Sequence, residues 1–228
     1  MTDQERVPAR AALRSPRAAA VAGIVFAVLL TISLWLLEGA MPPSGATIRT
    51  TPEVLRQITW ALALVPFAGI AFLWFVGVVR DHLGEHEDRF LATVFLGSGL
   101  IYLAMTFTAA AVGAGLIALA GETQSAPASS ELYSFGRRLM ATIFSVYALR
   151  MSAVFMISLA SVWVRSKVMP RWLALLTYAL ALVMLVSFSL SRWVSLIFPA
   201  WVLLISVVIL VSNLRNEPSR AQPIEAAL

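Results

Sequence analysis

Residues 172–213 read WLALLTYALALVMLVSFSLSRWVSLIFPAWVLLISVVILVSN, about 42 positions with one formal charge, Arg192. As a single helix this stretch would reach ~63 Å at 1.5 Å per residue, about twice the ~30 Å hydrocarbon core of a bilayer. The stretch is therefore two membrane spans, at 172–187 and 194–213. The break falls between Ser187 and Trp193, where Ser189, Ser191 and Arg192 interrupt the apolar run, and Pro199 lies early in the second span.

Upstream the same logic finds four more blocks. Residues 18–38 run AAAVAGIVFAVLLTISLWLLE, too long for the ~7–15-residue core of a cleaved signal peptide and closed by a carboxylate where cleavage needs a small residue. Thr51-Pro52-Glu53 has the order of an N-cap, a first-turn proline and an acid that favours the helix dipole. It opens a span at 58–79, in which Pro66 predicts a kink. The apolar run 90–120 would be ~46 Å long as a helix, so it tilts or projects beyond the hydrocarbon layer. A fourth helix begins near Ser130-Glu131 and continues to Val164, with its span at 139–164; Arg150 interrupts it chemically but is not expected to interrupt its conformation. Short polar tails, 1–17 and 215–228, complete the chain. The expected fold is an all-α polytopic bundle of six transmembrane helices.

Composition agrees. Of 228 residues, 60% are apolar and 13% charged, with a mean hydropathy of +0.84, against roughly 45–50% and ~25% in soluble domains. The chain has no cysteine, which excludes disulfides, thiolate metal sites and a cysteine nucleophile. Its net charge of +5 sits beside the spans, without the basic stripe and interleaved aromatics of a nucleic-acid-binding surface. With the N-terminus inside, the inner segments carry 4, 2, 3 and 2 Lys or Arg and the outer ones 2, 2 and 1, or 11 against 5, with Arg150 the seventeenth. The positive-inside rule then places both termini in the cytoplasm. Trp35, Trp60, Trp74, Trp163, Trp172 and Trp193 fall near span ends, as an interfacial aromatic belt does.

One ionisable residue falls inside a span. An arginine near mid-bilayer costs roughly 2.5–3.5 kcal/mol on insertion scales, so Arg150 should face the bundle or water and have a partner. At an ideal 100° per residue, Tyr147, Arg150, Ser158, Ser161 and Arg165 share an arc of about 80°, with Val154 interrupting the stripe. Three readings stay open: an inward-packed stripe whose guanidinium is satisfied by backbone carbonyls or by Glu38, a site for an anionic ligand or lipid headgroup built from Arg150, Tyr147, Ser158 and Glu38, and an arginine that snorkels to the outer interface. His82 and His86 have metal-ligand spacing, but Gly84 between them and the acids Glu85, Glu87 and Asp88 favour a helix-breaking turn. In Phe95-Leu96-Gly97-Ser98-Gly99, Leu96 replaces the first glycine of an intramembrane serine-protease motif, and no span holds a histidine to activate Ser98. Small residues there, and Ala19, Gly23 and Ala27 in the first span, suit close helix approach.

The runs LVPFAGIAFLWFVG (64–77), RDHLG (80–84), EDRF (87–90) and FLGSG (95–99) resemble an uncharacterised group of small bacterial multi-span membrane proteins. The resemblance covers about a sixth of the chain and implies a bacterial inner-membrane location, with no activity attached. The expected role is a non-enzymatic structural, regulatory or assembly component without cofactors. Its partners would be the lipid bilayer and other membrane proteins or a second copy, not nucleic acid. The alternative is a small transporter or channel for an anionic solute or lipid using Arg150.

Overall fold

The computed structural model describes residues 16–40, 51–83, 89–122, 131–166, 170–187 and 192–216, almost all of them helical. In chain order the helices are α1 (Pro16–Ala40), α2 (Pro52–Leu83), α3 (Arg89–Glu122), α4 (Glu131–Thr142), a π-helical stretch (Ile143–Ala148), α5 (Leu149–Ser166), α6 (Arg171–Val186) and α7 (Arg192–Asn216). The segment from α4 through α5 is one continuous rod of 36 residues. Among the described residues, five segments are long and apolar enough to cross a membrane. The sixth, α6, has 16 residues, about 24 Å at 1.5 Å each.

Local chemistry sets the boundaries. Helix α2 begins at Pro52, whose missing N–H costs nothing in a first turn, and Glu53 sits at the positive end of the dipole. Leu55 N–H donates to Thr51 O at 3.2 Å to close that turn. Pro170 caps α6 in an extended conformation, and Ser187 leaves the helix at the other end. Pro66 and Pro199 lie within continuous helices.

The fourth rod differs from expectation. Instead of an uninterrupted α-helix through Arg150, the six residues Ile143–Ala148 wind as a π-helix, and Leu149 N–H donates to Phe144 O, five residues back. The sequence carries no Pro or Gly there to announce it. Such bulges mark places where tertiary packing re-phases a helix against its neighbours.

Side-chain contacts fix the direction of each helix. Helix α2 returns along α1: Phe26 meets Phe72, Ser33 Oγ donates to Ala61 O at 2.7 Å, and Gln57 Nε2 donates to Leu36 O at 3.0 Å. Helix α3 lies antiparallel to both α2 and the fourth rod; Tyr102 meets Phe72, Phe95 stacks on Phe155, and Leu116 packs on Gly136. Helix α7 lies antiparallel to α1, because Gly23 faces Ser206 while Phe26 faces Phe198. Helix α6 packs chiefly on α5.

The core is aromatic. Phe26, Phe72, Phe75, Phe95, Tyr102, Phe155, Phe198 and Trp201 are all buried, and their ring centroids lie 4.5–6.4 Å apart, mostly tilted or edge-to-face. Phe72 alone touches Phe26, Phe75, Tyr102, Phe155 and Phe198. Lipid gives no hydrophobic drive for helices to associate, so ring packing of this kind supplies specificity through dispersion and quadrupole geometry. The outward faces carry large apolar side chains such as Val25, Phe67, Ile70 and Leu175.

Two polar relays tie α6 into the bundle. Trp201 Nε1 donates to Thr177 Oγ1 at 2.9 Å, and that hydroxyl donates on to Leu173 O at 2.8 Å. Ser161 Oγ donates to Ile157 O, so at the 2.9 Å contact between hydroxyls it is Tyr178 that donates to Ser161. Thr177 and Ser161 each serve as donor and acceptor, which suits a medium that cannot solvate a lone polar group.

Candidate functional site

Arg150 opens α5 immediately after the π stretch. Its Nη1 donates to Val146 O at 3.0 Å, one turn back on its own helix. The guanidinium thus lies against a carbonyl at the π-to-α junction and is half-buried. Of the stripe around it, Ser158 is buried and donates to Val154 O at 2.9 Å, and Ser161 joins the Tyr178 relay. Tyr147 is 57% exposed, on the outside of the bundle. The arc at 100° per residue holds from Arg150 onward, whereas Tyr147 sits inside the π stretch, where each residue turns through a smaller angle. The structure therefore does not bring Tyr147 to Ser158. The Glu38 and His82 side chains and residues 84–88, with His86, lie outside the described residues.

Ser98 Oγ donates to Val94 O at 2.6 Å and to Phe95 O at 3.1 Å. Gly99 next to it accommodates the ring of Phe155, 3.1 Å from where a Cβ would stand. This pair of residues serves helix packing. Gly23 does so more strictly, since a methyl there would overlap Ser206 Oγ and come 2.9 Å from Phe75 Cδ2. The bond of Gly23 that a Cβ would replace is Cα–H, so that hydrogen points at the serine oxygen, the geometry of a weak Cα–H···O contact.

A partly open cavity lies elsewhere. A cavity of about 320 Å³ sits between α4 with the π stretch on one side and α1, α2, α3 and α7 on the other. Leu30 and Leu34 of α1, Leu62 and Val65 of α2, Ala110 of α3 and Phe144 of the π stretch make its wall apolar. The buried rings of Phe26, Phe72, Tyr102 and Phe198 lie further along the same helices. Two other depressions, between α1 and α2 and between α2 and α3, are apolar grooves on the outer surface of the bundle.

Among the described residues, Arg137 is the one charged residue lining this cavity. Helix α4 orients it. Leu132, Phe135 and Leu139 are exposed and share one face, and Arg137 projects roughly 170° from their centre. Gly136, buried against Leu116 of α3, sets that rotation: a Cβ there would stand 2.6 Å from Leu116 Cδ2. Arg138 faces outward and is exposed. Thr31, Ser33, Thr106, Ser145 and Ser195 add hydroxyls around the cavity. Two of these are committed as donors, Ser33 to Ala61 O and Thr106 to Tyr102 O, and present only lone pairs. In the sequence, Arg137 counts only as an outer loop charge. The available signal was the amphipathic pattern of ELYSFGRRLMAT (131–142), with its apolar residues at i, i+3 and i+7.

Among the described residues no group of three or more His, Asp or Glu side chains is placed to hold a metal ion. No protein-family model, curated protein or solved structure matches the chain.

Proposed function

We propose that this chain is a six-span, non-enzymatic bundle of a bacterial cytoplasmic membrane, with both termini inside, acting as a structural, regulatory or assembly component. The observation that supports the non-transport part is the aromatic core: buried rings from α1, α2, α3, α5 and α7 interlock in the middle of the bundle. Arg150 lies against Val146 O of its own helix rather than on the wall of the cavity beneath α4. The antiparallel pairing of α1 with α7 supports six crossings, since it requires an even number of passes. On that reading α6 crosses as a short, mismatched span, which local bilayer thinning accommodates. The 11-to-5 distribution of Lys and Arg supports the inside orientation, and the resemblance of residues 64–99 supports the bacterial location.

Anion flux from proteoliposomes tests this reading. Wild-type protein should release entrapped chloride or phosphate no faster than protein-free vesicles, and Arg150→Ala should behave identically. Flux that Arg150→Ala or Arg150→Lys abolishes would replace the scaffold with a carrier that uses the forked guanidinium.

A further inference from the structure

We propose that the cavity beneath α4 binds an anionic amphiphile, with one alkyl chain between α1, α2, α3 and α7 and a phosphate or carboxylate head on Arg137. Three observations converge on this chemistry. The wall is apolar and, among the described residues, no carboxylate lines it, so a buried chain meets dispersion partners. The volume of about 320 Å³ is at the lower end of the roughly 300–1,000 Å³ typical of ligand pockets. A methylene takes up about as much space as a liquid water, ~30 Å³, so about ten fit: one chain, not two.

The third observation is the rotation of α4. An arginine on a helix at a membrane boundary ordinarily snorkels its charge to water. Here the neighbouring Arg138 is exposed while Arg137 is turned to the cavity side, held there by the Gly136–Leu116 contact. A guanidinium beside a greasy chamber presents a planar fork that matches phosphate or carboxylate. The first turn of α7, at Ser195 and Leu196, brings the positive end of that helix dipole to the same space. Head and tail requirements together select a lipid-like molecule over a free inorganic anion or a neutral apolar one. On the orientation proposed above, the site opens in the outer leaflet; the binding chemistry itself does not depend on that orientation or on the number of crossings.

Native mass spectrometry of the full chain, released from a neutral maltoside detergent, tests the site. Wild type, Arg137→Gln and Ala110→Phe are each incubated with phosphatidylglycerol or phosphatidylcholine of identical acyl chains. The wild type should retain phosphatidylglycerol about tenfold better than phosphatidylcholine, the scale of one charge-assisted hydrogen-bonded contact. Arg137→Gln should lose that preference, and Ala110→Phe should lose retention of both lipids, at unchanged melting temperatures. If Ala110→Phe does not fold, Leu34→Trp narrows the same chamber from α1 and should have the same effect. Equal lipid preference in Arg137→Gln and wild type, or undiminished retention in the folded cavity-filling variant, overturns the proposal. Displacement of phosphatidylglycerol by millimolar inorganic phosphate would also overturn it, as the mark of a small-anion site. The flux assay reads the scaffold proposal independently, so either can fail alone.

Discussion

Replacing Gly23 with alanine puts a methyl group where Ser206 Oγ already sits, with Phe75 Cδ2 2.9 Å from the new carbon. Both neighbours are completely buried, so neither has room to yield. Helix propensity by itself favours the alanine by about 1 kcal/mol. Overpacking of a filled contact costs ~1–3 kcal/mol, and overlap with an atom fixed close to its backbone belongs at the upper end of that range. The net expectation is a loss of about 2 kcal/mol, taken up by separation of α1 from α7. Ser206→Ala should act in the opposite direction. Its hydroxyl is buried without a hydrogen-bond partner, so removing it should be neutral or stabilising by up to ~1 kcal/mol. In the double variant the oxygen is gone and only the Phe75 contact remains tight. The two changes should then couple favourably by about 1–2 kcal/mol. Unfolding in mixed micelles of rising dodecyl sulfate content, followed by tryptophan fluorescence, measures all four corners of the cycle. Additivity within about 0.3 kcal/mol, or a Gly23→Ala variant more stable than wild type, would refute the α1–α7 register.

Thr177→Val removes the acceptor of Trp201 Nε1 and leaves a buried indole N–H unpaired; the same unfolding assay should show a loss of about 1 kcal/mol, the scale of interhelical hydrogen bonds in membranes. Phe72→Ala opens a void at the ring that touches five others, with an expected cost of about 2–4 kcal/mol. Phe72→Leu should recover more than half of that, and equal losses for the two would contradict a packing origin.

Much of the helical layout was legible because it depends on lengths. The limit of one bilayer thickness divides 172–213, and the structure leaves the helix at Ser187 and re-enters it at Arg192. Pro52 and Glu53 announced the start of α2 because their preferences are local. The stripe Ala19, Gly23, Ala27 pointed to close approach, and Gly23 is where α1 meets α7. The site was less legible. A uniform 100° per residue places Tyr147 beside Arg150, but the π stretch departs from that periodicity, and its six residues carry no local signal of it. Arg137 and Arg138 are adjacent and chemically identical in sequence. Which of them turns inward depends on Gly136 meeting Leu116, a contact between residues 20 apart that no periodicity reveals. The sequence draws attention to the arginine at mid-span, whereas the cavity lies at the arginine nearer the helix start.

With α6 among the crossings, the chain makes an even number of passes. The cysteine-free chain allows single cysteines to report sidedness without background. Ser15→Cys, Ser44→Cys, Ser125→Cys, Ser166→Cys, Ser189→Cys and Ser219→Cys can each be exposed to a membrane-impermeant maleimide in spheroplasts and in inverted vesicles. Six crossings with the N-terminus inside predict that positions 44, 125 and 189 label from outside, and that 15, 166 and 219 label only in inverted vesicles. Position 219 labelling from the face opposite to 15, or 189 from the same face as 166, would contradict the account.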